Sequence, residues 1–212
     1  MSAKPNRIFL LSPASCSGKR AEILLREQAS FDLANRLRAP GGVTLREACS
    51  FLSGLYFRGK LAYASHFARA PKGVPKLLII TAGRGLMSPD EGVSVTDLRT
   101  FASIPIDLGE PRYRGPIERD CARLAGQITD GTEVILLGSV ASAKYREVLT
   151  IALAQHLRFP IDFIGRGDMS RGGLMLRCVE ENRELEYSPF SGAALRGTRP
   201  ARLTQRQVKP KN

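Results

Sequence analysis

The feature that most constrains the fold is an alternation: short, unbroken apolar runs of strand length separated by stretches with helical spacing. Residues 7–12 (RIFLLS), 76–82 (KLLIITA) and 133–137 (EVILL) are apolar at consecutive positions, the pattern of strands covered on both faces. Between them Ala21, Leu25, Ala29, Leu33 and Leu37 recur every four residues and predict one amphipathic helix over 19–38, stopped by Pro40, Gly41 and Gly42. Thr44 and Glu47 form a capping-box pattern, so a second helix is expected to start near Leu45 and end around Ser53 and Gly54. Pro116 is expected to open a helix with Ile117, Cys121, Leu124 and Ile128 on one face, and another helix to span 141–157. Residues 161–164, 174–179 and 184–187 read as shorter strands, and 87–115, rich in Gly, Pro, Asp and Ser, as a long ordered excursion with little regular structure. This order predicts an α/β fold of three layers, a mostly parallel sheet flanked by helices. A single domain is expected over residues 1–190, with a basic flexible tail expected over 191–212.

Charge narrows the choice of partner. Lys and Arg number 32 against 20 Asp and Glu, a net +12, and six of the cations (Arg196, Arg199, Arg202, Arg206, Lys209 and Lys211) fall in the last 22 residues, which hold no acid. The body therefore carries the other +6, and a basic body with a basic tail points to a polyanion, nucleic acid before anionic membrane. The four cysteines are widely spaced and form no C-x-x-C pair, and there are two histidines, so no metal or other cofactor is expected. Free thiols and the lack of a long apolar segment predict a cytoplasmic monomer with no membrane partner.

In open α/β sheets, ligands bind beyond the carboxyl ends of the strands. The first strand runs into Ser12, Pro13, Ala14, Ser15, Cys16, Ser17, Gly18 and Lys19; the second into Thr81 to Gly85 with Arg84; the third into Gly138 and Ser139. Hydroxyls, backbone N–H groups and cations in these turns suit a phosphate or the edge of a base. Gly18-Lys19 is not a P-loop, because Pro13 and Arg20 stand where that motif needs Gly and Ser or Thr. Cys16 reads as a small buried thiol, with a helix-end thiolate as the alternative. Between Phe51 and Lys60, aromatics alternate with cations, so Tyr56 is a candidate for stacking on a base and Arg58 and Lys60 for holding phosphates. Residues 165–173 (GRGDMSRGG) place Asp168 between Arg166 and Arg171, an ionised carboxylate held by two cations.

Several of these motifs occur in an order that resembles the YaaA family, bacterial DNA-binding proteins associated with peroxide stress. The resemblance rests on Ser12-Pro13-Ala14, on Gly54-Leu55-Tyr56 with Gly59, and on Gly85-Leu86 with Pro89-Asp90. Ser139 with Tyr145, and Arg171-Gly172 with Leu174-Met175, complete it. Ser15 replaces the lysine that follows S-P-A in that family. The general build also resembles the uracil-DNA-glycosylase-like group, which takes a flipped nucleotide at its strand ends, although that group's sequence signatures are absent.

The expectation is an enzyme resembling a DNA glycosylase, which hydrolyses the N-glycosidic bond of a base, modified or not. Asp168 would be its catalytic carboxylate and Ser12, Ser15, Cys16, Tyr56 and Ser139 would hold the substrate. Lys19, Arg58, Lys60, Arg84, Lys144, Arg166 and Arg171 would bind the nucleic acid, DNA favoured. Two alternatives stay open: a non-enzymatic DNA-binding stress or defence protein, and an enzyme acting on a free nucleotide or nucleoside.

Overall fold

The computed structural model describes residues 5–140, 142–191, 193, 195–198, 200, 201 and 203. Residue 141 and most of the basic tail, including Arg199, Arg202, Arg206, Lys209 and Lys211, lie outside the described residues. The chain runs β1 (Asn6–Leu11), α1 (Lys19–Leu25), α2 (Asp32–Arg38), β2 (Val43–Thr44), α3 (Leu45–Phe67), β3 (Leu77–Thr81), β4 (Gly85–Met87) and β5 (Gly92–Val93). It continues through α4 (Val95–Ser103), α5 (Pro111–Ala125), β6 (Thr132–Leu137), α6 (Ala143–Leu153), β7 (Leu157–Pro160), α7 (Asp168–Glu180) and β8 (Tyr187–Pro189).

Six strands form one sheet in the order β4-β3-β1-β6-β7-β8. The inner four are parallel, with Phe9 opposite Leu77 on one side and Asn6 to Leu11 opposite Thr132 to Leu137 on the other. The two edge strands run antiparallel to their neighbours: β4 is the hairpin partner of β3, and β8 returns to β7 after α7. β1 lies at the centre, and Ile8, Phe9, Leu10 and Leu11 are fully buried, which is why its sequence is apolar without alternation. β1 connects to β3 on one side, and β3 returns past β1 to β6 on the other. With right-handed crossovers these two connections place α3 and α5 on opposite faces. α7 packs along α3 and α6 along α5, giving the three layers expected.

The structure corrects several local readings. The helix expected over 19–38 is two short helices. Their break is held by α2 side chains: Arg38 donates to the carbonyls of Arg26 and Ala29, and Asn35 Nδ2 to Ser30 O at 2.9 Å. The helix expected to end at Gly54 instead bends there, with φ 53° and ψ −124°, and continues to Phe67. The excursion over 87–115 contains β5 and α4, the latter started by a Ser94–Asp97 capping box. α5 begins at Pro111, capped by Glu110, and Pro116 lies within it. The helix read over 141–157 ends at Leu153, and β7 occupies 157–160 where a strand had been placed at 161–164. The strand at 174–179 is the second half of α7; its buried Leu174, Met175 and Cys178 follow helical spacing. The last strand is Tyr187–Pro189. No helix among the described residues is long and apolar enough to cross a membrane.

Candidate functional site

The turns after β1 and β3 open into a cavity of about 330 Å³. Residues 13–17 form one wall and Ile79 to Ala82 another, while α4 and the segment after it close the site with Leu98, Phe101, Ile104 and Ile106. Leu45 and Cys49 come from the start of α3, and Lys144 reaches in from the start of α6. The walls are largely apolar, and Ser15, Ser17, Thr81 and Lys144 supply the polar groups. Ser15 is exposed, with its Oγ 3.4 Å from that of Ser17. Cys16 is half-buried, its Sγ 3.8 Å from Ala14 O, and burial pushes its thiol up to about 11. Burial thus disfavours the thiolate, and Cys16 stands as a wall residue.

A second cluster lies beside the cavity, beneath the ends of β1 and β6. Ser12, the residue after β1, is 5% exposed, and Lys60 from α3 is 1% exposed. Lys60 Nζ donates to Ser12 O at 2.6 Å and to Ser12 Oγ at 3.0 Å, and lies 4.5 Å from the centre of the Tyr56 ring. Burial lowers Lys60 to about 7; Cys49 and Asp168 act to raise it and Arg171 to lower it. The Tyr56 hydroxyl is buried without a hydrogen-bond partner, and burial pushes it up to about 12.

α7 brings the remaining groups. Asp168 is its first residue, with its side chain 65% exposed, and accepts from Arg171 Nη1 at 3.4 Å. Arg171 is buried and donates to Phe163 O from Nε and Nη2 at 3.2 and 2.9 Å. α3 and α7 approach closely because Gly59 and Gly172 face each other: a Cβ on Gly59 would come 2.6 Å from Gly172 O. The charge of Asp168 also acts on Tyr145, which burial pushes up to about 12. Asp168, Tyr56, Lys60, Arg171 and Tyr145 therefore form one electrostatic neighbourhood, next to the cavity wall at Cys49.

The other expected site residues are dispersed. Lys19 and Arg58 are exposed, and Ser139 is half-buried after β6. Arg84 is exposed and paired with Glu91 and Asp97 at 3.3 and 3.4 Å. Arg166 donates to Ser170 Oγ at 3.3 Å while its Nε is buried without a partner. Lys60 and Arg171, expected to hold phosphates, are turned inward onto the chain's own carbonyls. The reading of the sequence missed the walls from α4 and Ile104 to Ile106, and it missed Cys49. The Ser94–Asp97 pair was the available signal for α4. No protein-family profile, no curated protein and no solved structure matches this chain at a significant level.

Proposed function

We propose that the protein is a DNA glycosylase-like hydrolase that takes one base out of nucleic acid and cleaves its N-glycosidic bond. The observation that carries this reading is the cavity at the strand ends. Its 330 Å³ is near the lower limit of small-ligand sites, roughly 300–1,000 Å³, so it suits one base with its sugar. Its apolar walls suit a base face, the hydroxyls of Ser15 and Ser17 a base edge, and Lys144 a phosphate. A chain of net +12 favours a polyanionic substrate. The order of motifs shared with YaaA-like proteins supports DNA as that polyanion, and three buried free cysteines and one half-buried one fit the cytoplasm.

Extruding a base costs a few kcal/mol, which a stacking partner offsets in part. Tyr56 does not suit that role, because it does not line the cavity and Lys60 lies over its ring; Phe101 in the cavity wall does. As the bond from C1′ to the base nitrogen breaks, positive charge builds on the sugar. Asp168, exposed on the first turn of α7, stabilises that charge and orients the attacking water. Arg171 holds the carboxylate in place.

The test is mass spectrometry of bases released from varied DNAs, hypermodified phage DNA included, with alkali treatment to reveal abasic sites. Free base with matching alkali-labile sites supports the proposal. DNA that is bound in a salt-dependent way but never loses a base favours the binding-module alternative, and a free nucleoside as the one substrate cleaved favours the third.

A further inference from the structure

We propose that Ser12 and Lys60 form a nucleophile and base pair, giving the protein a second activity: hydrolysis of small carboxylic esters whose apolar acyl group occupies the cavity. This goes beyond the action on DNA and stands without it.

The geometry is that of a hydroxyl with its proton acceptor already in place. Lys60 Nζ is 3.0 Å from Ser12 Oγ, and Ser12 O at 2.6 Å anchors the nitrogen from a second direction. Lys60 makes no ion pair with a carboxylate among the described residues, although it is 1% exposed. Burying an ammonium without a counter-charge is costly, and the group relieves the cost by releasing its proton. The groups that act on it are Cys49 from its own helix and Asp168 and Arg171 from α7, and burial outweighs them, lowering it to about 7. In the neutral amine one N–H stays on Ser12 O while the lone pair accepts the Oγ proton.

The surroundings fit the reaction's later stages. The Tyr56 and Phe57 rings lie 4.5 and 5.0 Å from Nζ and stabilise the cation formed when it takes the proton. Gly138 makes room for the hydroxyl: a Cβ there would come 2.9 Å from Ser12 Cβ and 3.2 Å from Oγ. Pro13 and Ala14, the next two residues, line the cavity, whose Leu45, Ile79, Phe101 and Ile106 provide an apolar seat for an acyl chain.

The step balances as follows. Ser12 Oγ attacks the ester carbonyl and its proton passes to Lys60 Nζ. The Oγ–C bond forms, the ester C–O bond breaks, and the departing alkoxide takes the proton from Nζ. Water, its proton taken by the same amine, then attacks the acyl-serine and releases the carboxylic acid and the free hydroxyl.

A fluorophosphonate probe tests the pair without DNA, since Oγ displaces fluoride from phosphorus in the same first step. Wild type is treated between pH 5.5 and 9, and the modified peptide is located by mass spectrometry. Hydrolysis of p-nitrophenyl butyrate is followed in parallel. The expected result is modification at Ser12, with a rate that rises through about pH 7 and then levels. Lys60→Arg, which keeps the donor but cannot release its proton, is expected to lose at least tenfold in both assays. Thermal melting checks that this variant is folded. Wild type unmodified at pH 9, modification at Ser15 or Ser17 instead, or a folded Lys60→Arg variant reacting at the wild-type rate would each overturn the proposal.

Discussion

Gly59→Ala tests how closely the two helices carrying the polar cluster must pack. The added Cβ would stand 2.6 Å from Gly172 O and 2.9 Å from Gly172 Cα, both backbone atoms that no rotamer change can move. Reaching the ~3.4 Å of ordinary contact means opening the α3–α7 seam by roughly 0.8 Å. Overpacking of this kind costs about 1–3 kcal/mol, while alanine regains about 0.8–1 kcal/mol of helix propensity. The net loss is up to about 2 kcal/mol, or a melting temperature lower by up to roughly 8 °C for a chain of this size. Gly126→Ala is the control. Gly126 has φ −70° at the end of α5, and a Cβ there meets Arg123 O at 3.6 Å and Ala122 O at 3.8 Å. That variant is expected to gain about 0.4–1 kcal/mol by restricting the unfolded chain. Urea denaturation and thermal scans of both variants read the difference. A Gly59→Ala protein as stable as Gly126→Ala would refute the close approach, and with it the placement of Arg171 and Asp168 beside Tyr56 and Lys60.

Thr44→Ala removes the cap of α3, whose hydroxyl donates to Glu47 Oε2 at 2.7 Å and accepts from Glu47 N, and is expected to cost about 1 kcal/mol in urea denaturation. The same bonds, with Arg36, hold the Glu47 carboxyl down at about 2 against an ordinary 4.5. Because the folded value is depressed, this contribution is fully present above about pH 4.5 and fades as pH falls toward 2. Acid titration of stability should be shallower in that window for Thr44→Ala than for wild type, by a modest amount because Glu47 is partly exposed. Gly138→Ala should displace the Ser12 hydroxyl and reduce its labelling by the fluorophosphonate probe at least tenfold, and unchanged labelling would contradict the contact. DNA affinity should fall steeply with salt, and removal of residues 191–212 should make the logarithmic slope shallower without unfolding the domain; a slope near zero for the full chain would remove the electrostatic argument.

The parallel core was legible in the sequence because β1, β3 and β6 are buried on both faces, and such burial demands consecutive apolar residues. The turns after them were legible for the same reason: small and polar residues follow each apolar run, and in a parallel sheet those turns meet at one edge. Residues 174–179 misled because a short apolar run has no period of its own, and Leu174, Met175 and Cys178 fit a helix as well as a strand. The 19–38 stripe misled in the opposite way, since two short helices in sequence can preserve a four-residue spacing across the turn between them. Of the two cations expected to hold Asp168, Arg171 pairs with it on the first turn of α7, whereas Arg166 donates to Ser170 Oγ. The pairing of Lys60 with Ser12 had no local signal at all. It joins residues 48 positions apart, and nothing in the sequence tells an inward lysine from a solvated one.

The most direct test of the account is single-turnover base release by wild type and by Asp168→Asn on the same DNA, with affinity measured in parallel. The account predicts free base and alkali-labile sites with wild type, and none with Asp168→Asn, which should bind that DNA as tightly or more tightly because a negative charge near the phosphates is gone. Base release by Asp168→Asn at the wild-type rate would contradict the assignment of the carboxylate, and no release from any DNA by wild type would contradict the glycosidic chemistry itself.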